Sequence, residues 1–545
     1  MLFIRNRILS ADRILHPFNY ITMRIKTVGI FVFLLTAIGM QQGVAQLLSK
    51  EEIADRLNKE KARNIHLPAT DWHYRVVKHY VEYKPDSDYY HASEEAYEAF
   101  RDIKFGVRIH WGIYSINQMN GESWGFLELD NAGKQQYQEL YKTWNPTGFN
   151  ADEWMDFFQR SGLQCFAFTS KHHEGFSMFD TKTRVKQRVN YLAAGGPAIE
   201  PCNVAYSIME TPFKRDIIKE LCNSARAHKI KIDLYFSHPD WYDADFRPFN
   251  YHPLQTEDSK NHPTKYGDEN MYKNSQTKIM VAAPSAEETQ RMLARHREQI
   301  KELLTNYGKI DMMCLDQWLG SDVWPDLKAT IKMARALQPD VMLRCRDIGN
   351  YGYYYTPEGF VPGNKENTNM PWMVIYPLAS SFSYDKEAAN YKGSKWIIDN
   401  LVDAVAKGGN FMVGIGPDGM GKFHPKAIKQ LEETGDWLKI NGEGIYATRP
   451  VQHWKEGTDT RFTSTKDKKY TYAFTLKWPG KQFILTTVIP VKGSAIYMLG
   501  YNKPLAWKYT EGKLVITIPD ALQDQSLRPC KSAWGFRIEP RSPLK

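Results

Sequence analysis

Residues 309–346 read KIDMMCLDQWLGSDVWPDLKATIKMARALQPDVMLRCR. The apolar run Ile310–Leu315 ends on Asp316, helical spacing follows over Leu327–Leu337, and a second apolar run, Val341–Cys345, ends on Arg346. Short apolar runs alternating with amphipathic helices describe βα units of a parallel sheet, whose strands are buried on both faces. The pattern continues outward in both directions. Strands are expected at Gly106–Trp111, Cys165–Thr169, Ile230–Phe236 and Phe411–Ile415, and helices at Asp152–Ser161, Lys214–His228, Ala286–Tyr307, Ser394–Ala406 and Pro425–Leu438. Asn150-Ala151-Asp152-Glu153 and Ser285-Ala286-Glu287-Glu288 supply capped, acidic helix starts.

Polar residues cluster where these strands end. The first runs into His110-Trp111, others into Lys171-His172-His173, Ser237-His238-Pro239-Asp240-Trp241, Asp316 and Arg346. One polar residue at a strand end is a turn or a cap; five in a βα array point to a barrel, whose carboxyl-terminal strand ends converge on one site. An open doubly wound sheet is the competing architecture, and the convergence of five polar strand ends favours the barrel over it. The expected fold is therefore α/β, a TIM-like (β/α) barrel over residues 100–449. Beyond it, Thr460–Thr463, Tyr470–Lys477, Gln482–Val488, Ala495–Leu499 and Lys513–Ile518 read as short alternating strands, a C-terminal β-sandwich domain over 450–545. Residues 47–99 look like a helical lead-in, and Asp243–Ala286, rich in Lys, Asn, Asp and Tyr, like a long exposed insertion.

Composition narrows the class. With 42% hydrophobic and 24% charged residues, the 545-residue chain has ample material for a core and is not a disordered or collagen-like polymer. Its net charge of +9 is scattered, with no run of five or six basic residues, so no nucleic-acid partner is expected. Met23-Arg24-Ile25-Lys26, the apolar run Val28–Ile38 and the small-residue end Gly43-Val44-Ala45-Gln46 describe a signal peptide over residues 1–46, with Met23 as a candidate start. The apolar run is short for a membrane span and no Cys follows it closely. The expectation is export to the periplasm or the extracellular space with no stable membrane anchor after cleavage; an uncleaved anchor is the alternative. The six cysteines show no CxxC or zinc-site spacing and read as mostly free.

A retaining glycosidase needs two carboxyl groups about 5–5.5 Å apart, one to attack the anomeric carbon and one to protonate the leaving oxygen. Asp316, on a rigid strand end, suits the nucleophile, although an aspartate capping the next helix would look the same. Arg346, one βα repeat later, could pair with it or clamp a sugar hydroxyl. Glu358, in Tyr353-Tyr354-Tyr355-Thr356-Pro357-Glu358-Gly359, could have the raised pKa of a general acid, and a helix-start Glu after Pro is the common alternative. His172-His173 could bind metal, but adjacent residues of an extended chain point opposite ways, so neutral imidazoles reaching sugar hydroxyls are the better reading.

Seven segments in order resemble the α-L-fucosidases of glycoside hydrolase family 29. They are Lys104–Gly112, Trp144-Asn145-Pro146-Thr147 with Phe149–Trp154, Ser170–Phe176, Tyr307–Asp311, Lys407-Gly408-Gly409-Asn410 and Asn441–Tyr446. The resemblance implies a retaining mechanism without metal or cofactor on a (β/α) barrel with a C-terminal β-sandwich. It implies that Asp316 is the nucleophile, Arg346 the sugar-contacting arginine, and Glu358 the acid/base of one group of members. It also implies that His110, Trp124, His172, His173, Tyr235 and Trp241 hold the sugar. The chain departs from the pattern at several points. Cys314-Leu315-Asp316-Gln317 stands for Trp-Phe-Asp-Gly, and Trp372-Met373 for Trp-Glu, removing an alternative acid. Ser381-Phe382-Ser383-Tyr384 stands for Ser-Trp-Gly-Tyr, and Arg344 for an Asn. The extra cation Arg344 could pair with Asp316 or face an acidic substituent. The expected activity is removal of terminal α-L-fucosyl residues from an oligosaccharide or glycoconjugate. The alternatives are a same-fold glycosidase of different sugar preference, such as an α-galactosidase, and a silent carbohydrate-binding protein.

Overall fold

The computed structural model describes residues 48–542 apart from 69–73, 75–76, 120, 248–251, 255–281, 283, 317–320 and 363–367. The expected signal peptide and most of the expected insertion lie outside the described residues. Among the described residues no helix is long and apolar enough to cross a membrane.

Among the described residues nine strands precede the C-terminal domain: β1 (Phe105–Ile109), β2 (Cys165–Lys171), β3 (Val185–Asn190), β4 (Ala198–Val204), β5 (Lys231–Ser237), β6 (Met312–Asp316), β7 (Met342–Leu343), β8 (Met373–Pro377) and β9 (Asn410–Ile415). β3 and β4 form a separate antiparallel ribbon. The other seven form one parallel sheet in the order β7-β6-β5-β2-β1-β9-β8. β1, β2, β6 and β9 are buried at every residue, as their apolar runs dictate. The helices cover this sheet with periodic apolar faces: Trp154, Met155, Phe157 and Phe158 from Ala151–Arg160, and Met292, Ile300, Leu303 and Leu304 from Ala286–Thr305. Their starts are the ones the sequence announces. Asn150 accepts the amides of Asp152 and Glu153, and Ser285 with Glu288 makes a complete capping box.

The edges of the sheet, β7 and β8, are joined by residues 353–359. Tyr353 N donates to Leu343 O at 2.7 Å and Cys345 N to Tyr354 O at 2.8 Å. On the other side, Ile375 N donates to Pro357 O at 3.0 Å and Gly359 N to Ile375 O at 3.1 Å. Between β7 and this segment stands a single 3-10 turn, Gly349–Tyr351, and the lead-in covers it. Tyr80 Oη donates to Asp347 O at 2.9 Å, Tyr89 Oη donates to Tyr351 O at 2.5 Å, and His91 Nε2 lies 2.8 Å from Asn350 O. Gly349 has φ +55°, and a Cβ there would stand 2.8 Å from Val77 Cγ1, so this close approach requires glycine. Among its described residues the lead-in carries helices at Lys50–Ala62 and Glu94–Asp102, is also helical at Tyr74 and Val77, and buries Tyr74, Val77, Val81 and Tyr89.

The space enclosed by the sheet is layered. Phe100, Ile103, Met312, Met342, Met373 and Met412 cluster at the amino ends of the strands. Above them lie the buried charges Arg108, Asp233 and Arg344, with the Arg108 guanidinium 4.6 Å from the Tyr235 ring centroid. Asp316 closes β6 at the carboxyl end.

From Arg449 onward the chain is strand-rich. A five-stranded sheet (Arg449–Glu456, Thr460–Ser464, Thr471–Thr475, Trp534–Ile538 and Tyr497–Met498) and a three-stranded one (Gln482–Leu485, Lys513–Thr517 and Trp507–Thr510) share a core that includes Phe462, Leu485, Leu514, Ile516 and Phe536. The start of the expected insertion is not exposed: Asp243, Ala244, Asp245, Phe246 and Arg247 are buried, because the acidic residues meet arginines of Ala286–Thr305. Cys165, Cys202, Cys222, Cys314 and Cys530 are free thiols.

Candidate active site

The carboxyl ends of β1, β2, β5, β6 and β7 converge. His110 follows β1, and its ring lies 5.5 Å from that of His172 and 6.4 Å from that of Tyr235. Ser237, the last residue of β5, is in register with Asp316. The side chain of Asp316 is 12% exposed, and its oxygens are divided between partners. Tyr235 Oη donates to Oδ2 at 2.5 Å, with His173 Nε2 at 3.9 Å, and Arg346 Nε makes an ion pair with Oδ1 at 3.2 Å. Burial alone would raise the Asp316 carboxyl; the guanidiniums of Arg346 and Arg344 and the Tyr235 hydroxyl outweigh it and hold the carboxyl well below the usual carboxylate range.

Arg346 joins this strand end to Glu358. Its Nη1 donates to Glu358 Oε1 at 2.7 Å while its Nε faces Asp316. Glu358 stands at the far end of the segment that joins the sheet edges, bridged to Ile375 of β8. It therefore lies on the same rim as Asp316. The tyrosines before it are buried, and its side chain is 36% exposed and gathered by guanidiniums. Arg344 Nη2 donates to the same Oε1 at 3.3 Å. Its side chain is 0% exposed, so the expectation that Arg344 pairs with Asp316 or faces a substituent gives way to an ion pair with Glu358. Met373 is also relocated. It opens β8 in the methionine layer at the amino end of the strands, where a carboxylate would not reach the rim.

The two histidines do not diverge. β2 ends at Lys171 and the chain turns, with Gly175 N donating to His172 O at 3.0 Å, so the rings lie 4.3 Å apart. An alternation argument for an extended chain does not apply past the strand end. Burial, reinforced by neighbouring cations, pushes His110 and His172 well below the usual imidazole range and His173 down to about 4. All three are neutral near pH 7, each with one donor and one acceptor nitrogen. His172 Nδ1 pairs with Ser123 Oγ, and His173 Nδ1 lies 2.6 Å from Ser237 Oγ. Trp124 and Trp241 pack on His173 at 4.9 and 5.4 Å and on each other at 5.4 Å.

Two residues of this site carry no signal at a strand end. Glu122 has φ +56°, in the left-handed region, and its Oε1 accepts the amides of Phe382 at 2.8 Å and Ser383 at 2.9 Å. That hold sets the Phe382 ring against His110, 5.1 Å away. Burial, opposed by those two amides, pushes the Glu122 carboxyl up to about 7. Phe382 was visible in the sequence only as a departure from the resembled pattern.

Trp241 is fixed from behind. Its amide donates to His173 O at 2.9 Å. The neighbouring Asp240 takes Lys171 Nζ at 3.0 Å together with Arg295, and Arg295 Nε reaches Asp243 at 3.0 Å, all buried.

The alpha-L-fucosidase family profile matches residues 73–443, and the alpha-L-fucosidase C-terminal domain profile matches residues 454–539. Plasma alpha-L-fucosidase of Rattus norvegicus is 27% identical over 476 residues, covering 81% of this chain and 90% of that protein. Tissue alpha-L-fucosidase of Homo sapiens is 25% identical over 460 residues, 81% and 88% of the two chains. Among solved structures, alpha-L-fucosidase isoenzyme 1 from Paenibacillus thiaminolyticus superposes with a TM-score of 0.65 at 23% identity, over 82% of this chain and 99% of that one, a likeness of fold.

Proposed function

The chain belongs to the alpha-L-fucosidase family and is a glycoside hydrolase of that class, and from this premise we propose that it is an exported, retaining exo-glycosidase that removes terminal α-L-fucosyl residues from glycans. The site stands at the mouth of a closed (β/α) barrel in which residues 353–359 act as the eighth stave. The observation that carries the reading is Arg346, whose one guanidinium faces Asp316 Oδ1 at 3.2 Å and Glu358 Oε1 at 2.7 Å. A guanidinium shared by both carboxyl groups brings them to one site, which supports a double displacement, a reaction whose two carboxyl groups stand about 5–5.5 Å apart.

In the first step an Asp316 oxygen attacks C1 of the fucosyl unit. The bond from C1 to the leaving oxygen breaks, and that oxygen takes the Glu358 proton, leaving a glycosyl ester on Asp316. In the second step Glu358 takes a proton from water, the water oxygen bonds to C1, and the ester bond returns its electrons to Asp316. The low ionisation range of Asp316 keeps the nucleophile charged throughout the working pH range. Neutral His110, His172 and His173 both give and take hydrogen bonds, which suits neutral hydroxyls, and His110 Nδ1 has no protein partner among the described residues. Trp124, Trp241 and Phe382 offer apolar faces for the sugar ring and its methyl group.

Replacing the nucleophile tests this. Asp316→Ala, checked for folding by circular dichroism, should hydrolyse an aryl α-L-fucoside at least about 10³-fold more slowly than the parent enzyme. Near-parental turnover would remove Asp316 from the chemistry.

A further inference from the structure

A cation of the site remains without a role in these steps. Arg344 lies at the end of β7 with its side chain wholly buried, and its Nη2 makes the ion pair with Glu358 Oε1 at 3.3 Å. Arg346 meets the same oxygen but divides its charge between Glu358 and Asp316. Around Glu358 stand Arg344 and Arg346 from the end of β7, and Asp316 from β6 by way of Arg346. Glu122 from the loop after β1 and the neutral imidazoles of His110 and His173 after β1 and β2 also stand there among the described residues. On the β8 side Glu358 bridges to Ile375, which is apolar.

Resting on the assignment of Glu358 as acid/base, we propose that Arg344 is a positioning residue that fixes which Glu358 oxygen delivers the proton and sets the upper pH limit of the enzyme. Both guanidiniums donate to Oε1, so a proton on the carboxyl sits on Oε2, and Oε2 is the oxygen that hands it to the leaving group. A buried positive charge beside the carboxyl stabilises its ionised form, and burial keeps salt from screening the interaction. Arg344 therefore causes Glu358 to lose its proton at lower pH than it would beside a neutral side chain, and the acid-assisted step fades from that pH upward. In exchange the carboxylate left after the first step is held in one orientation for the water that follows.

The test is the pH profile of kcat/KM for an alkyl α-L-fucoside, whose poor leaving group makes the acid step count. Arg344→Gln should move the alkaline limb up by about one pH unit, the lower end of the effect of a close opposite charge. Arg344→Lys, which keeps the charge, should leave the limb where it is in the parent. An unmoved limb in folded Arg344→Gln, or the same upward shift in Arg344→Lys, would overturn the proposal. Should the glutamine variant not fold, Arg344→Asn is read in the same way. Glu358→Ala separates the two assignments. If that variant keeps both alkyl-fucoside turnover and the alkaline limb, Glu358 is not the acid and the role of Arg344 falls with it. If it loses the limb while Arg344→Gln leaves the limb unmoved, only the role of Arg344 falls.

Discussion

Asp316 shows how a residue's surroundings, rather than its type, fix its state. The burial that raises Glu122 to about 7 acts on Asp316 too, but Arg346 and Tyr235 meet one carboxylate, with the charge of Arg344 nearby, and two backbone amides meet the other. Two carboxyl groups of one rim are thereby set far apart in acidity. The raised group has a stability consequence. Glu122 binds its proton more tightly in the folded chain than its ordinary value of 4.5, so its contribution to stability is full below pH 4.5 and is lost as pH rises through about 7. Glu122→Gln keeps an oxygen for the Phe382 and Ser383 amides and cannot ionise. It should abolish a loss of roughly 2–3 kcal/mol in unfolding free energy between pH 4.5 and pH 7.5, measured by urea unfolding at both values. An unchanged pH dependence would show that Glu122 titrates normally in the fold. None of this was readable from Glu122-Ser123-Trp124, because the amides that matter arrive from residues 382 and 383, far along the chain.

At the scale of elements, the strands that carry polar ends were readable and the segments that complete the rim were not. Ile310–Leu315 was expected and Met312–Asp316 is observed; Ser394–Ala406 was expected and found with the same bounds. Apolar periodicity reports burial: Met312–Asp316 is buried at every residue, and Ser394–Ala406 buries Ile397, Ile398, Leu401, Val402 and Val405. β8 was missed because Pro371 and Pro377 flank a run of four other residues and Trp372, too short and too proline-marked to read as a strand. The segment 353–359 was missed because its bonds go to two neighbours through isolated bridges, a pattern with no sequence period. Glu358 was therefore read from a loop, although it is bridged to Ile375 of β8. Another tertiary element is the loop after β5, which carries Trp241 and is tied by Asp240 and Asp243 to Arg295 of Ala286–Thr305. Arg295→Met would leave Asp243 without this cation and Asp240 with Lys171, the His296 ring and the Asp243 amide. It should lower unfolding free energy by about 3–5 kcal/mol in denaturant titration, the cost of orphaning buried charge. A loss under about 1 kcal/mol would mean that the ion cluster is dispensable.

Over the whole molecule, the division into a parallel βα body and a strand-rich C-terminal domain was legible because the hydrophobic period changes near residue 450. The packing across that change was not. Trp437 Nε1 donates to Ala533 O at 2.8 Å and Arg449 pairs with Asp102 at 2.8 Å, contacts that join residues about a hundred or more positions apart. Residues 47–99 were read simply as a helical lead-in, yet Tyr80, Tyr89 and His91 cover the turn that precedes the 353–359 segment, so the lead-in supports the element that carries Glu358. The proposed mechanism draws on all of these layers, and its centre is a covalent bond at one strand end. Incubating the enzyme with 2-deoxy-2-fluoro-α-L-fucosyl fluoride, which slows release of the glycosyl ester, and mapping the adduct by peptide mass spectrometry tests that centre directly. The account predicts one added fluorofucosyl mass on the peptide that contains Asp316, absent in Asp316→Asn; an adduct on another carboxylate, or one that persists in the variant, would contradict it.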